Sequence, residues 1–220
     1  MWVVNCEFKK HIMAEVTATK SPFRSPLALM LFFGVTIVGV ALDLWTKRVA
    51  FDRLAEQIVV VPDSSLPNGR VEVRSDEYQF IPNWLHFHVT ANQGAVFGLG
   101  RGQRWLFVVV SIAAIAVLTS LFSKSDGRHF YQLLLGMLLA GVLWNMYDRI
   151  TLGYVRDMIY ALPDWKNPLR GMFPSWQTVF PWIFNVADSL LCAGVFLMIV
   201  YSFFQHPKPQ ETNNPAPESL

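Results

Sequence analysis

A few polar side chains, set in short clusters along an otherwise apolar chain, are where chemistry is to be sought. Asn185 and Asp188 stand three residues apart, and Asn145, Asp148 and Arg149 stand at i, i+3 and i+4. Side chains at those spacings share a helix face, so each cluster can point at one polar pocket. Asp157 follows eight residues after Arg149, in the stretch GYVRDMI, where apolar residues on both sides fit chain held at a membrane surface. Two carboxylates sharing a low-dielectric site cannot both ionise easily, so one keeps its proton. One can then act as a base on water and the other as an acid toward a carbonyl oxygen, the chemistry of amide hydrolysis. The residues alone leave other roles open: a structural pairing of Asp188 with Arg149, or an ordinary surface-loop position for Asp157.

The elements that must position these groups are membrane spans. The 220 residues are 53% hydrophobic and only 15% charged, where soluble domains carry roughly 25% charged residues; the mean hydropathy is +0.32. About 20 apolar residues are needed to cross a hydrocarbon core of about 30 Å. Four stretches approach this: Leu27 to Trp45, Trp105 to Phe122, Phe130 to Tyr147 and Pro181 to Phe204. With the fourth helix starting at Pro181, Asp188 would lie roughly 10 Å along it at about 1.5 Å per residue. Charged groups that deep call for a partner or a function. Lys9, Lys10, Lys20 and Arg24 before the first span, and Lys124 and Arg128 between the second and third, place both termini in the cytoplasm by the positive-inside rule. Asp43, Asp148, Arg149 and Asp188 then gather at the outer ends of the helices.

Two longer segments lie outside. In residues 46–104, Ile58 to Val61, Val71 and Val73, and Leu85, Phe87 and Val89 alternate with polar neighbours, which predicts a small β-sheet on the membrane surface. His86 and His88 alternate on one of these strands with no evident third ligand, so they read as a solvated face rather than a metal site. Residues 149–180 and Trp182 beyond them are rich in aromatics, including Trp165 and Trp176, a composition suited to the headgroup region. The tail, residues 206–220, reads as disordered. A net charge of +2 gives no field for nucleic acid. Cys6 and Cys192 lie far apart without a second ligand nearby, so neither a disulfide framework nor a metal or other cofactor is expected.

Asp43 in DLWTK, Asn92 to Phe97 in NQGAVF, NMYDR from Asn145, YVRDMI around Asp157 and NVADS from Asn185 together resemble the bacterial lipoprotein signal peptidases (signal peptidase II). The motifs span Asp43 to Ser189 in the family's order. Trp144 stands where the family usually has Gly, and Arg156 and Met158 flank Asp157 where the family favours an apolar residue and Phe. The resemblance implies four transmembrane helices, an all-α membrane class with a small extracytoplasmic β-sheet cradle. It implies removal of signal peptides from prolipoproteins, before a cysteine carrying a diacylglyceryl group, in the bacterial inner membrane. It makes Asp157 and Asp188 the catalytic pair, without metal. It makes Asn92, Asn145, Arg149 and Asn185 the groups that hold the pair, the substrate backbone or the developing oxyanion. Gly94 and Ala95 would keep their loop small enough for backbone to approach the substrate. Asp43 and Lys47 would form a supporting ion pair reaching Arg149, with Asp148 and Ser189 also in support.

The expected organisation is a cytoplasmic arm over residues 1–26, a monomeric membrane domain over 27–205 and a cytoplasmic tail, with lipidated prolipoproteins and membrane lipid as partners. The competing class is a small transporter or channel component that uses the Asp, Arg and Asn cluster as an ion or proton site. Such a path needs polar groups through the whole bundle, and the inner halves carry few besides Ser111, Thr119 and Gln132. A scaffold would explain the hydrophobicity but not the clustering.

Overall fold

The computed structural model describes residues 21–64, 66, 69–94, 100–169, 171–172 and 176–204. Cys6, most of the N-terminal arm, Ala95 and the C-terminal tail lie outside the described residues. Among the described residues four helices are long and apolar enough to cross a membrane: α1 (Pro26–Leu54), α2 (Arg104–Ser123), α3 (His129–Thr151) and α4 (Val186–Phe204). A helix satisfies its own backbone polar groups, which hydrocarbon cannot do. α3 packs against the other three. Small residues permit the close approach: a Cβ at Gly141 would lie 2.6 Å from the Ala187 carbonyl oxygen, and one at Gly136 2.6 Å from that of Phe32. Gly136 lies opposite a π-helical turn of α1, Met30–Gly34. There the Thr36 hydroxyl donates to the Phe32 carbonyl at 2.7 Å and to the Gly136 carbonyl at 3.1 Å. Phe32 and Phe122, stacked at 4.1 Å, close the core at the end of the bundle that holds the short turn between α2 and α3.

Beyond a four-residue extension of α3 to Thr151, two span boundaries differ most from the sequence expectation. α1 continues past Trp45 to Leu54, because the charges of Asp43 and Lys47 neutralise each other within the helix and need not end it. α4 starts at Val186 and not at Pro181. Ile183–Phe184 is extended and pairs with Ile159 and Tyr160, and Asn185 caps the helix. Asp188 therefore sits in the first turn, not two turns deep.

The other end of the bundle carries the strands. β1 (Ala55–Val61) and β2 (Arg70–Ser75) form a two-stranded antiparallel sheet. A second sheet has the order β3 (Glu77–Ile81), β4 (Leu85–Asn92), β5 (Val155–Ala161) and β6 (Ile183–Phe184), all antiparallel. The fold is thus a four-helix membrane protein with two small antiparallel sheets, and "all-α" describes it loosely. The chain enters the sheets from the C-termini of α1 and α3 and leaves them into the N-termini of α2 and α4, so all four of these ends meet there. The alternation foretold β1, β2 and β4. It missed β5, so Asp157 lies on an inner strand of the second sheet and not on irregular surface chain. The solvated reading of His86 also fails, because the β4 to β5 register shifts between Phe87 and Thr90 and breaks the alternation of faces. His86 is buried; its Nδ1 contacts Glu77 and its Nε2 lies 3.8 Å from Asp164. His88 is half-buried, 3.1 Å from the Ser75 hydroxyl.

Candidate active site

The foundation of the site is a buried chain of charges where α1 meets α3. Lys47 Nζ lies 2.6 Å from Asp43 and 3.1 Å from Asp148, and it donates to Asn145 Oδ1 at 3.2 Å. An ammonium has three donors and no acceptor, so every donor of Lys47 has a partner although the side chain is 0% exposed. Asp148 carries a second cation: Arg156 Nη2 lies 2.8 Å away, and the Arg156 backbone N–H donates to Asp148 at 3.1 Å. Two carboxylates and two cations leave the chain of charges neutral, the condition under which buried ions are tolerated. The Asp43–Lys47 pair thus reaches Asp148, not Arg149 as the family resemblance implied.

This chain of charges fixes the orientation of the next layer. Asn145 must turn its oxygen toward Lys47, a donor only, so its NH2 faces Asp188 and donates to Oδ1 at 2.8 Å. Asn185 caps α4. Its Oδ1 accepts from the Asp188 N–H at 2.9 Å, and Asp188 Oδ2 accepts in return from the Asn185 N–H at 3.2 Å. That reciprocal pair is a capping box. The remaining group of Asn185, its NH2, donates to Asp157 Oδ1 at 2.6 Å. Asn92, at the end of β4, donates to Asp157 Oδ2 at 3.1 Å and accepts from the Gly94 N–H at 2.9 Å. Each of the four carboxylate oxygens of Asp157 and Asp188 accordingly accepts a hydrogen bond, and Asn185 touches both residues.

Asp43 contributes from a third direction, its Oδ1 accepting from the Ala187 N–H at 2.8 Å. That anion satisfies a free donor at the start of α4. The Ser189 hydroxyl donates to the Asn185 carbonyl at 3.0 Å, within the cap and not to Asp188. Arg149 donates to two backbone carbonyls, Asn145 at 3.2 Å and Gly94 at 3.1 Å, and lies 5.1 Å over the Phe107 ring. It holds the loop after β4 against α3 rather than pairing with Asp188. Burial, and then the charge of Asp188, push the carboxyl of Asp157 up to about 8, outweighing the amide donors that favour its anion.

Two cavities meet at this pair. One of about 470 Å³ reaches Asp188 between α2, α3 and α4. The other, about 460 Å³, reaches Asp157 between β2 and β4. Asn92, Trp182 and Ile183 line both. Trp182 stands edge-on to Trp176 at 4.9 Å and to Phe180 at 5.2 Å, so part of the aromatic segment builds a wall of the site.

Sequence reasoning named the polar centre but missed three residues that shape it. Arg156, noted only as a departure, is a partner of Asp148. Gln93 joins the two sheets, accepting from the Val71 N–H at 2.8 Å and donating to the Gly69 carbonyl at 3.2 Å. Trp182 belongs to an aromatic segment for which interfacial anchoring and contact with substrate lipid are equally good readings of the sequence. The capping pattern Asn-x-x-Asp at 185–188 was the signal that would have set the start of α4 correctly. Trp144 is half-buried and stacks on Tyr147 at 4.5 Å, while its Nε1 finds no hydrogen-bond partner among the described residues.

Residues 35–204 match the model of a family described as Signal peptidase (SPase) II. Among curated proteins, the chain is similar to the lipoprotein signal peptidase of Rhodopirellula baltica, 35% identical over 185 residues covering 81% of this chain and 74% of that protein. It is similar also to the lipoprotein signal peptidase of Lactobacillus gasseri, 34% identical over 154 residues covering 69% of this chain and 90% of that one. Among solved structures it resembles a bacterial membrane enzyme determined by the in meso method at 2.3 Å resolution. That match has a TM-score of 0.57 and 25% identity, covering 84% of this chain and 92% of the other.

Proposed function

The chain belongs to the signal peptidase II family, and from that premise we propose that Asp157 and Asp188 are the catalytic pair with which it cleaves prolipoproteins before their diacylglyceryl-modified cysteine. It is a multi-pass membrane protease, and signal-peptide removal from prolipoproteins is its activity. The observation that carries the assignment is the pair itself: two carboxyl groups bridged by Asn185, each oxygen oriented by a donor, where two cavities meet.

Near neutral pH, Asp157 holds the proton and Asp188 is the base. Asp157 is 1% exposed and its carboxyl is raised to about 8, whereas Asp188 is only partly buried. Asp188 takes a proton from water as the water oxygen attacks the scissile carbonyl carbon. Asp157 gives its proton to the carbonyl oxygen. The tetrahedral intermediate then collapses: the C–N bond breaks, the amine leaves with a proton from Asp188, and Asp157 recovers its own. Asn92, Asn145 and Asn185 hold both carboxyl groups in register. Arg149 and Gly94 fix the backbone at the end of β4 beside the substrate.

Only the singly protonated pair is competent. kcat/KM is therefore expected to fall as pH rises through about 8, since kcat/KM reports the free enzyme; a profile still flat a full unit higher would contradict the assignment of the proton to Asp157.

The positive-inside pattern supports a site at the outer face, with both sheets extracytoplasmic and residues 1–26 and 206–220 in the cytoplasm. The working unit is then a monomer surrounded by lipid, its substrate arriving through the bilayer. Purified protein in lipid is expected to cleave a diacylglyceryl-modified prolipoprotein and to leave the unmodified precursor intact. Equal cleavage of both would remove the lipid from the recognition element.

A further inference from the structure

Asp188 and Asp157 open on cavities of different chemistry. The cavity beside Asp188 is walled mainly by apolar side chains, among them Val142, Leu191, Phe180 and Phe184, and its one other charged group, Arg149, is turned to the Asn145 and Gly94 carbonyls; the cavity beside Asp157 is walled by Arg70, Glu72 and Arg101. A substrate crossing the catalytic pair has an apolar signal helix on one side of the scissile bond and a water-soluble mature segment on the other. Covering charged groups with apolar side chains leaves their desolvation uncompensated, so the signal helix takes the first cavity and the mature segment the second. In that second cavity Arg70 and Glu72 are paired with each other. Arg101 has no carboxylate partner among the described residues.

The backbone keeps Arg101 on the cavity wall. Its neighbours Gly100 and Gly102 have φ of 66° and 80°, values that favour glycine. The Gly102 N–H donates to the Gln93 carbonyl and the Gln103 N–H to the Gly100 carbonyl, both at 3.2 Å. Gln93 is the residue that joins β2 to the end of β4, so the turn is tied to both walls. A side chain at Gly102 would also strike Leu66, whose Cδ2 lies 2.7 Å from a Cβ built there.

We propose that Arg101 is a specificity-determining residue that reads an acidic side chain in the mature segment, shortly after the lipid-bearing cysteine; the inference rests on the catalytic assignment of Asp157 and Asp188. The test uses the full protein in lipid and pairs of diacylglyceryl-modified prolipoproteins that differ only by Asp or Lys, scanned through the positions following the cysteine. At one or more positions, kcat/KM is expected to favour Asp by about three- to fivefold at low salt, the range of a partly exposed ion pair. Added salt should shrink that ratio. Arg101→Gln should bring it close to unity, Arg101→Glu should reverse it, and Arg101→Lys should keep its sign. Equal rates in the unsubstituted protein at every position, or a preference unchanged in Arg101→Gln, would overturn the proposal. Because the ratio compares two substrates on one enzyme, a general loss of activity or folding cancels. Undiminished cleavage by an Asp157→Asn protein would instead strike the catalytic assignment, whatever the ratio.

Discussion

Asp188→Asn and Asp157→Asn proteins are expected to process a lipidated prolipoprotein about a hundredfold to ten-thousandfold more slowly, the range of a lost general acid or base. An amide at position 188 cannot take a proton from water, and one at position 157 cannot give a proton to the carbonyl oxygen. Neither substitution changes volume much. At the cost of one donor each, the Asn185 N–H at position 188 and Asn92 at position 157, the new amides still accept from Asn145 and Asn185 respectively. Substrate binding is therefore expected to persist while kcat falls, which single-turnover cleavage against lipidated substrate measures. Asp157→Asn carries a second signature through proton linkage. The folded protein holds the Asp157 proton up to about 8, whereas the unfolded chain releases it near 3.8. The stability associated with that proton is complete below the lower value and is lost as pH rises through the upper one. An asparagine has no proton to lose. The variant should be the more heat-resistant of the two proteins at alkaline pH and lose that advantage in acid. Near wild-type processing by either variant would sink the assignment.

Lys47→Met is expected to be the most destabilising single change at the site, by about 3–5 kcal/mol, the usual cost of leaving buried charge unpaired. Methionine keeps most of the stem but removes all three donors, stranding Asp43 at 1% exposure and taking one of two cations from Asp148 at 0%. Arg156 still serves Asp148, so the strain falls chiefly on Asp43. Asn145 would also lose the donor that fixes its amide. Thermal unfolding in detergent should show the drop. Adding Asp43→Asn to Lys47→Met should recover part of it, because the stranded charge goes with it. If the single change left the melting temperature unmoved, the buried ions would not be stabilising the junction.

The site was legible in sequence where chemistry and periodicity coincide. Asn145, Asp148 and Arg149 share a helix, and helical spacing alone told that Asn145 and Asp148 face one interior. The alternation of apolar residues revealed β4, which delivers Asn92. What escaped depends on contacts between elements distant in sequence. Asp157 owes its place to β5 pairing with β4 on one side and β6 on the other, and two residues of β6 are too short a stretch to show a period. The family resemblance carries the Asp43–Lys47 pair toward Arg149, because no spacing in the sequence says which residue of α3 Lys47 meets. Its choice of Asp148 is settled by how α1 crosses α3, where Gly39 lets Ala140 approach so closely that a Cβ would sit 2.8 Å from it. The start of α4 was misplaced because hydropathy does not distinguish an apolar strand from an apolar helix, whereas the cap does. His86 misled for a related reason: a register shift has no signature in an alternating pattern.

The Asp43 to Lys47 pair also bears on how the protein is built in the cell. A nascent helix enters the bilayer before its later neighbours exist, and an isolated ion there costs about 2.5–3.5 kcal/mol on insertion scales. Four residues apart on one turn of α1, Asp43 and Lys47 can neutralise each other at once. The first span then carries no unpaired ion while the roughly 100 residues between Lys47 and Asp148 are synthesised. When Asp148 arrives, Lys47 already sits dehydrated beside it, and Arg156 brings the balancing charge a few residues later. The chain of charges that ends as the footing of the active site thus begins as a pair neutralised within the first span.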